Sequence, residues 1–364
     1  MDYKNRELAR QIANVSLRIE PGTKVYLKYK SGDSIPLDKL IIEEISAKGG
    51  VVFPVKYDKE LEDFLMSTHT TNSIDAIMQK SCFENGFFDV FISLGSNDDF
   101  VKTPKSNLDV LDELKRMKMS LETMKDGKQW LLLNYPSIVD SNNLGMSYED
   151  YYRYAMDAMT YDFSDMLDSV ESLRVMMNEA KMVRIVGDNV NLSFNKEGIP
   201  SVSLLGNVNL PDGEIYTSPI RTSASGFIRY NVPSPKNGLI FDDIYLEFKD
   251  GKVVDFDCRD HKEEFERIIS IDDGARYIGE FAFGFNPAVT RPMKDILYDE
   301  KLCGSFHIAL GNAYKNAFNG NTSALHWDMI YLNKTNNHCE IYFDDELVCR
   351  NGLFVPEKIK KLNK

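Results

Sequence analysis

Basic residues are in short supply: 43 Lys and Arg stand against 56 Asp and Glu, a formal charge of −13 at pH 7. Such a field repels phosphate backbones and anionic lipid head groups over a Debye length, which argues against nucleic acid and membrane as partners. Cysteine is scarce as well. Cys82, Cys258, Cys303, Cys339 and Cys349 are an odd number at irregular spacing with no CxxC pair, indicating neither a disulfide framework nor a zinc ribbon. No apolar run approaches the roughly 18 residues of a membrane span, and the charged opening MDYKNRELAR holds no signal-peptide core. The expectation is a cytoplasmic chain with reduced thiols.

Familiar catalytic signatures are missing too. The chain has no HExxH, no GxSxG and no GxxxxGK[ST]; Gly279 to Gly284 has the glycine spacing of the last but continues Phe285-Asn286, without a phosphate-reaching lysine. No GxGxxG follows the first expected strand. Cys303 lies four residues before His307, a spacing that on a strand does not bring thiol to imidazole, so it reads as a small core residue.

What is present suggests two domains, since 364 residues at roughly 150 per domain leave room for both, and 43% apolar content can fill a core in each. Apolar positions recur at helical spacing from Tyr3 to Ile19 and again from Pro36 to Lys48, where Gly49-Gly50 closes the pattern. Between and after them Thr23 to Tyr29, Val51 to Val55, Asp89 to Leu94 and Gln129 to Asn134 read as strands, with a further helix around Leu108 to Met119. This βαβ rhythm predicts an α/β N-terminal domain, residues 1–185, with a mostly parallel sheet. Tyr148 to Met182 reads as helical. Beyond it short β-like runs (Val190 to Phe194, Ser201 to Leu205, Ile228 to Val232, Ile244 to Phe248, Lys252 to Asp257) predict an α+β C-terminal domain, residues 186–364, with antiparallel sheet. The basic tail from Lys358 to Lys364 reads as a frayed terminus.

Chemistry concentrates in the second half. His307 lies between Phe306 and Ile308, as in a buried strand; His326 and Asp328, two residues apart, share one face of a strand. Glu280 interrupts an apolar stretch, and Glu214 follows a Pro-Asp-Gly turn. A buried carboxylate needs a partner, and these three carboxylates with two imidazoles form a ligand mix for Zn²⁺, Co²⁺ or Mn²⁺, sufficient for two ions if one carboxylate bridges.

Four segments carry a resemblance: Asn209-Leu210-Pro211-Asp212-Gly213-Glu214-Ile215-Tyr216-Thr217-Ser218-Pro219; Gly279-Glu280-Phe281-Ala282-Phe283-Gly284; Leu297-Tyr298-Asp299-Glu300-Lys301 leading to His307-Ile308-Ala309-Leu310-Gly311-Asn312-Ala313-Tyr314; and Asn321-Thr322-Ser323-Ala324-Leu325-His326-Trp327-Asp328. Through them the chain, from about Tyr3 to Val355, resembles the thermophilic-type metallo-aminopeptidases, family M29. The resemblance implies a dinuclear site of two divalent metal ions (Zn, Co or Mn) ligated by Glu214, Glu280, His307, Tyr314, His326 and Asp328. Only the resemblance raises Tyr314 above a core tyrosine. It further implies a homodimer, and hydrolysis by a metal-activated water at the N-terminal bond of peptides with a free N-terminus. Glu280, alone or with Asp328, is the expected bridge, Glu280 is the expected catalytic residue, and Glu300 is a candidate general acid, although Asp299-Glu300-Lys301 also reads as a structural ion-pair cluster. Two departures, a short interval from Tyr314 to His326 and the lead Asn207-Val208-Asn209-Leu210-Pro211, remove no ligand and bear on specificity. A dinuclear-metal phosphoesterase and a non-catalytic metal- or peptide-binding homologue are the alternatives.

Overall fold

A computed structural model describes residues 2–30, 35–58, 71–95, 127–333 and 338–363, together with Leu61, Phe64 and Thr68. The helix expected around Leu108 to Met119 lies outside the described residues. The chain forms two compact units, residues 1–160 with 206–211, and residues 161–205 with 212–364.

The first unit is built on a parallel sheet. Strands β1 (Lys24–Lys30), β2 (Val51–Tyr57), β3 (Val90–Gly95) and β4 (Gln129–Asn134) are joined at one edge by the two-residue Asn209–Leu210, which is β8 in chain order; the order is β2-β1-β3-β4-β8. Every neighbouring pair is parallel. Around it run α1 (Asp2–Gln11), α2 (Ile35–Ala47), α3 (Thr71–Phe87), α4 (Ile138–Asn143) and α5 (Tyr148–Met159). Leu8, Ile12, Leu37 and Ile41 bury the stripes of the first two helices, and Val25, Leu27, Ile92 and Leu131 are buried on the strands, where burial alternates along β3. Ser137 and Ser147 start α4 and α5 by accepting from the amides of Asp140 and Asp150. The first helix follows the expected span but ends in a π-helical turn, Ile12–Ser16.

Helicity does not run unbroken from Tyr148 to Met182. The Thr160 hydroxyl donates back to Met156 O, 2.7 Å, and Asp162 caps Ser164 N, 2.9 Å, so α5 stops and α6 (Leu167–Glu179) begins anew. Val170, Leu173, Met176 and Met177 of α6 pack into the core of the second unit. The units therefore divide after residue 160, ahead of the boundary expected near residue 185, which falls inside a strand.

Two antiparallel sheets make the second unit. One has eight strands: β5 (Met182–Gly187), β6 (Val190–Asn195), β10 (Ser225–Arg229), β13 (Tyr245–Lys249), β14 (Lys252–Asp257), β18 (Cys339–Phe343), β19 (Glu346–Arg350) and β20 (Leu353–Phe354), in the order β14-β13-β10-β6-β5-β18-β19-β20. The other has five: β7 (Val202–Leu204), β9 (Glu214–Thr217), β15 (Ile278–Gly284), β16 (Ser305–Gly311) and β17 (His326–Leu332), in the order β17-β16-β15-β9-β7. A hairpin of β11 (Ser234–Lys236) and β12 (Leu239–Phe241), helix α7 (Lys262–Ile269) and the single turn α8 (Ile296–Asp299) complete it. Rings interlock the sheets: Phe281 meets Phe194 at 5.3 Å between centroids, and Phe283 meets Phe354 at 5.3 Å.

Two local expectations are corrected. The strand placed at Ile228 to Val232 starts earlier, at Ser225, because Gly226 (φ +114°) lets the backbone pass so close to Asn191 that a Cβ would lie 1.9 Å from its carbonyl oxygen. The basic tail is not frayed: Glu357–Asn363 is a 3₁₀ helix whose Ile359 and Leu362, three apart, are buried, and Asn363 exchanges two hydrogen bonds with the Phe354 backbone.

Candidate metal centre

Successive side chains on a strand face opposite ways, and in the five-stranded sheet the two sets differ in kind. Ile215, Phe281, Phe283, Ile308, Trp327 and Met329 enter the shared core. Pairing in register puts the alternate residues together on the other face: Glu214 is opposite Gly284, Tyr216 opposite Ala282, Ala282 opposite His307, Glu280 opposite Ala309, and Ala309 opposite Asp328. Small residues separate the polar ones and leave them room. The register slips by one residue between Ile278 and Glu280, so Ile278 pairs with Leu310 on the core side while Glu280 faces the polar side. Only glycine fits at the slip, since a Cβ on Gly279 would lie 2.4 Å from Asn312 O.

His307 Nε2 lies 3.2 Å from Glu280 Oε1, 3.6 Å from Glu214 Oε2 and 3.8 Å from Asp328 Oδ1. His326 Nε2 lies 3.4 Å from Asp328 Oδ2 and 3.9 Å from Glu280 Oε2. Two groups of three donors result, Glu214 with Glu280 and His307, and Glu280 with His326 and Asp328, each with its ligand atoms mutually within 4.8 Å. Glu280 belongs to both, one oxygen toward each histidine. His326 Nδ1 is 2.8 Å from Asn312 O, which fixes the ring and, with Nδ1 protonated, leaves Nε2 a lone pair. Tyr314 follows β16, its ring 4.6 Å from that of His326 and 5.7 Å from that of Tyr216.

Glu300 and Lys301 reach this face from the turn after α8. Their backbone crosses over Gly284, where a Cβ would lie 2.4 Å from Glu300 O, and Asn286 N–H donates to Lys301 O. Lys301 is fully buried; its Nζ donates to Glu214 Oε1 at 2.6 Å and Glu300 Oε2 at 2.7 Å, with Asp212 Oδ1 at 3.9 Å.

Burial opposes the charged form of each of these groups, and ionic neighbours compete with it. It raises Glu300 and Glu214, against the pull of Lys301, whose close contact favours their ionised forms. It disfavours the Lys301 ammonium, but Glu214, Glu300 and Asp212 outweigh it and keep that group charged. It also opposes charged imidazoles, yet the carboxylates prevail: Glu280, hydrogen-bonded, lifts His307 to about 9, and Asp328 lifts His326 to about 9. The Tyr314 side chain is 42% exposed, but its hydroxyl end is desolvated against the cluster, and this, then Glu280 and Asp328, pushes the phenol well up. Glu214 Oε2, Glu280 Oε2 and His307 Nδ1 are buried without a hydrogen-bond partner. Unpaired carboxylate oxygens in a dry interior cost several kcal/mol unless a cation takes them up, and an oxygen-and-imidazole donor set fits a divalent transition metal.

The structure thus brings Glu214, Glu280, His307, His326 and Asp328 together on one face, with Tyr314 against His326 and Glu300 at the edge. Sequence reasoning missed Lys301 and Asp212 as parts of this cluster. For Lys301 the signal was the Asp299-Glu300-Lys301 run, which reads equally as a structural ion-pair cluster, and for Asp212 only the Pro-Asp-Gly turn before Glu214.

Comparison with known proteins agrees with this architecture. The model of the thermophilic metalloprotease (M29) family matches residues 1–354. Aminopeptidase 2 of Geobacillus stearothermophilus is 36% identical over 112 residues, 30% of this chain and 27% of that protein. Aminopeptidase T of Thermus thermophilus is 32% identical over 123 residues, 33% and 30% of the two; the matched stretch thus spans less than a third of either relative. Among solved structures, AmpT of Thermus thermophilus superposes with a TM-score of 0.78 at 17% identity, covering 97% of this chain and 99% of that one. A 2,5-dihydroxypyridine dioxygenase of Pseudomonas putida KT2440 shares the fold at a TM-score of 0.66 and 15% identity, covering 99% of each. With a family model covering nearly its whole length, the chain belongs to the thermophilic metalloprotease (M29) family.

Proposed function

We propose that this protein is a metal-dependent aminopeptidase, removing single residues from peptides with a free N-terminus at a centre of two divalent cations. One observation carries the reading: Glu280 turns its two oxygens toward two different histidines within a buried acidic cluster. Among the described residues, Asp212, Glu214, Glu280, Glu300 and Asp328 are opposed by one ammonium, Lys301. With both imidazoles neutral, as ligation requires, and Glu300 protonated, three negative charges remain, more than one divalent cation neutralises. The aminopeptidase names of the relatives select the substrate.

In this reading Glu280 would serve both cations, Glu214 and His307 would help hold one, and His326, Asp328 and Tyr314 would help hold the other. Cations there supply Lewis-acid polarisation of the scissile carbonyl and a water of lowered pKa. Glu300, whose burial favours the protonated acid, holds a proton for the leaving amine. Zn²⁺, Co²⁺ or Mn²⁺, a cytoplasmic setting and a homodimer belong to the same proposal. A phosphoesterase fits less well, because the buried lysine at the centre is engaged by three carboxylates and offers no charge to a phosphate.

The test is hydrolysis of a panel of aminoacyl chromogenic amides by chelator-stripped protein resupplied separately with Zn²⁺, Co²⁺, Mn²⁺ or Mg²⁺. Activity restored by a transition metal, and absent with N-acetylated substrates, is expected. Two bound ions with no hydrolysis under any metal would leave a phosphoesterase or a binding homologue.

A further inference from the structure

We propose that Lys301 is a positioning residue that holds Glu214 to a single-oxygen contact with its cation and thereby keeps a coordination position open for substrate. The inference rests on the metal-centre reading above. A carboxylate grips a cation through one oxygen or two, and one whose Oε1 is 2.6 Å from a buried ammonium has only Oε2 to give. That Oε2 is the oxygen without a hydrogen-bond partner, 3.6 Å from His307 Nε2. The ammonium has little freedom to let go. Glu214 and Glu300 take two of its three protons, Asp212 attracts the third from 3.9 Å, and no part of the side chain reaches water.

The backbone is fixed as tightly as the head group. The turn carrying Lys301 closes over Gly284, the cross-strand neighbour of Glu214, and a Cβ there would collide with the Glu300 and Leu302 carbonyl oxygens. The Asn286 amide, two residues past Gly284, bonds to Lys301 O at 3.0 Å. Strand β15 therefore places the lysine and its target carboxylate together, independently of any cation. Catalytic metal sites differ from structural ones in keeping a position open, and a two-oxygen grip by Glu214 would consume it. A lysine whose sole task was to balance charge would be indifferent to which oxygen it held.

The experiment compares wild type with Lys301→Met, which removes both charge and donor, and Lys301→Gln, which removes charge but keeps a donor. Each is stripped and loaded with Co²⁺, and visible absorption, cobalt affinity and peptidase kinetics are recorded. The lock predicts that Lys301→Met binds cobalt at least as tightly as wild type, with the weaker absorption of a higher coordination number. Its kcat should fall by one to two orders of magnitude with KM little changed. Lys301→Gln keeps more of the wild-type spectrum and rate. Equal spectra and equal losses in the two variants would reduce Lys301 to charge balance and overturn the proposal. Should both variants fail to fold, X-ray absorption or a crystal structure of cobalt-loaded wild type decides: one Glu214 oxygen on the ion supports the lock, two overturn it. Cobalt uptake by wild type without hydrolysis would sink the aminopeptidase reading, while spectrum and oxygen count still test the lysine.

Discussion

The two faces of the five-stranded sheet are made by the same strands, and adjacent residues serve opposite ends. Phe281 is buried among Phe194, Phe283 and Phe306, while its neighbour Glu280 is equally inaccessible but surrounded by charge. One face gains from excluding water. The other pays for the exclusion in desolvated carboxylates, which only a cation or proton can repay. The folded chain thus stores on one face an affinity for divalent cations that the other face makes tolerable. Substitutions on either side of a single peptide bond should separate the two contributions.

The largest effect is expected from Glu280→Gln, which keeps shape and hydrogen bonding but removes the charge shared by both donor groups. Turnover should fall by about 10³-fold or more, and retention of both ions should weaken, as read by metal analysis after gel filtration. Near-normal activity would remove Glu280 from the bridging role. Phe281→Ala, one residue away, should instead cost about 3–5 kcal/mol in unfolding free energy through the cavity it leaves. Metal content of the folded fraction should stay unchanged. If Phe281→Ala emptied the centre while Glu280→Gln unfolded the protein, the division between the faces would be wrong.

Much of this division is legible in the sequence, because strand alternation is local. His326 and Asp328 announce a shared face by their spacing, Gln129–Asn134 is a strand at the residues where its composition predicts one, and Glu280 stands out against Phe281 and Phe283. What is not legible depends on partners far along the chain. Gly279 and Gly284 look like fragments of a phosphate loop; one takes up a register slip and the other passes beneath a crossing turn. Lys301 reads only as a member of a local Asp299-Glu300-Lys301 ion-pair cluster until that turn carries it to Glu214. The tail failed for a different reason: its lysines advertise solvent, and Ile359 and Leu362 mark a helix only at the three-residue period of 3₁₀ geometry.

A smaller effect should follow from filling the space that the polar face reserves. Ala309 is paired with Glu280 on one side and Asp328 on the other, so Ala309→Leu puts a branched side chain between two proposed ligands. Affinity for the second cation should drop about tenfold or more, with less loss of thermal stability than Phe281→Ala causes. Calorimetric titration giving two sites of wild-type affinity would show that the small residues on this face do not set its capacity.

The subtlest expectation concerns protons. In the cation-free chain burial opposes charge on His307 and His326, but Glu280 and Asp328 raise both to about 9, above the ordinary imidazole value. A cation needs the lone pair that the proton occupies, so loading at pH 7 should release close to three protons per chain, one from each imidazole and one from the Glu214 carboxyl that burial raises to about 8, and progressively fewer as pH rises past 9. Heats measured in buffers of different ionisation enthalpy count them. The sign for stability follows from the same shift. Groups raised in the folded state stabilise it fully below their unfolded pKa, about 6.5, and that contribution is lost as pH rises through 9. Chelator-stripped protein should therefore lose thermal stability from about pH 6.5 to 9 while the loaded form, freed of proton competition, does not. Melting curves of the two forms that ran parallel across this window would mean that the imidazoles are already neutral before any cation arrives, and that the polar face is balanced by something other than protons.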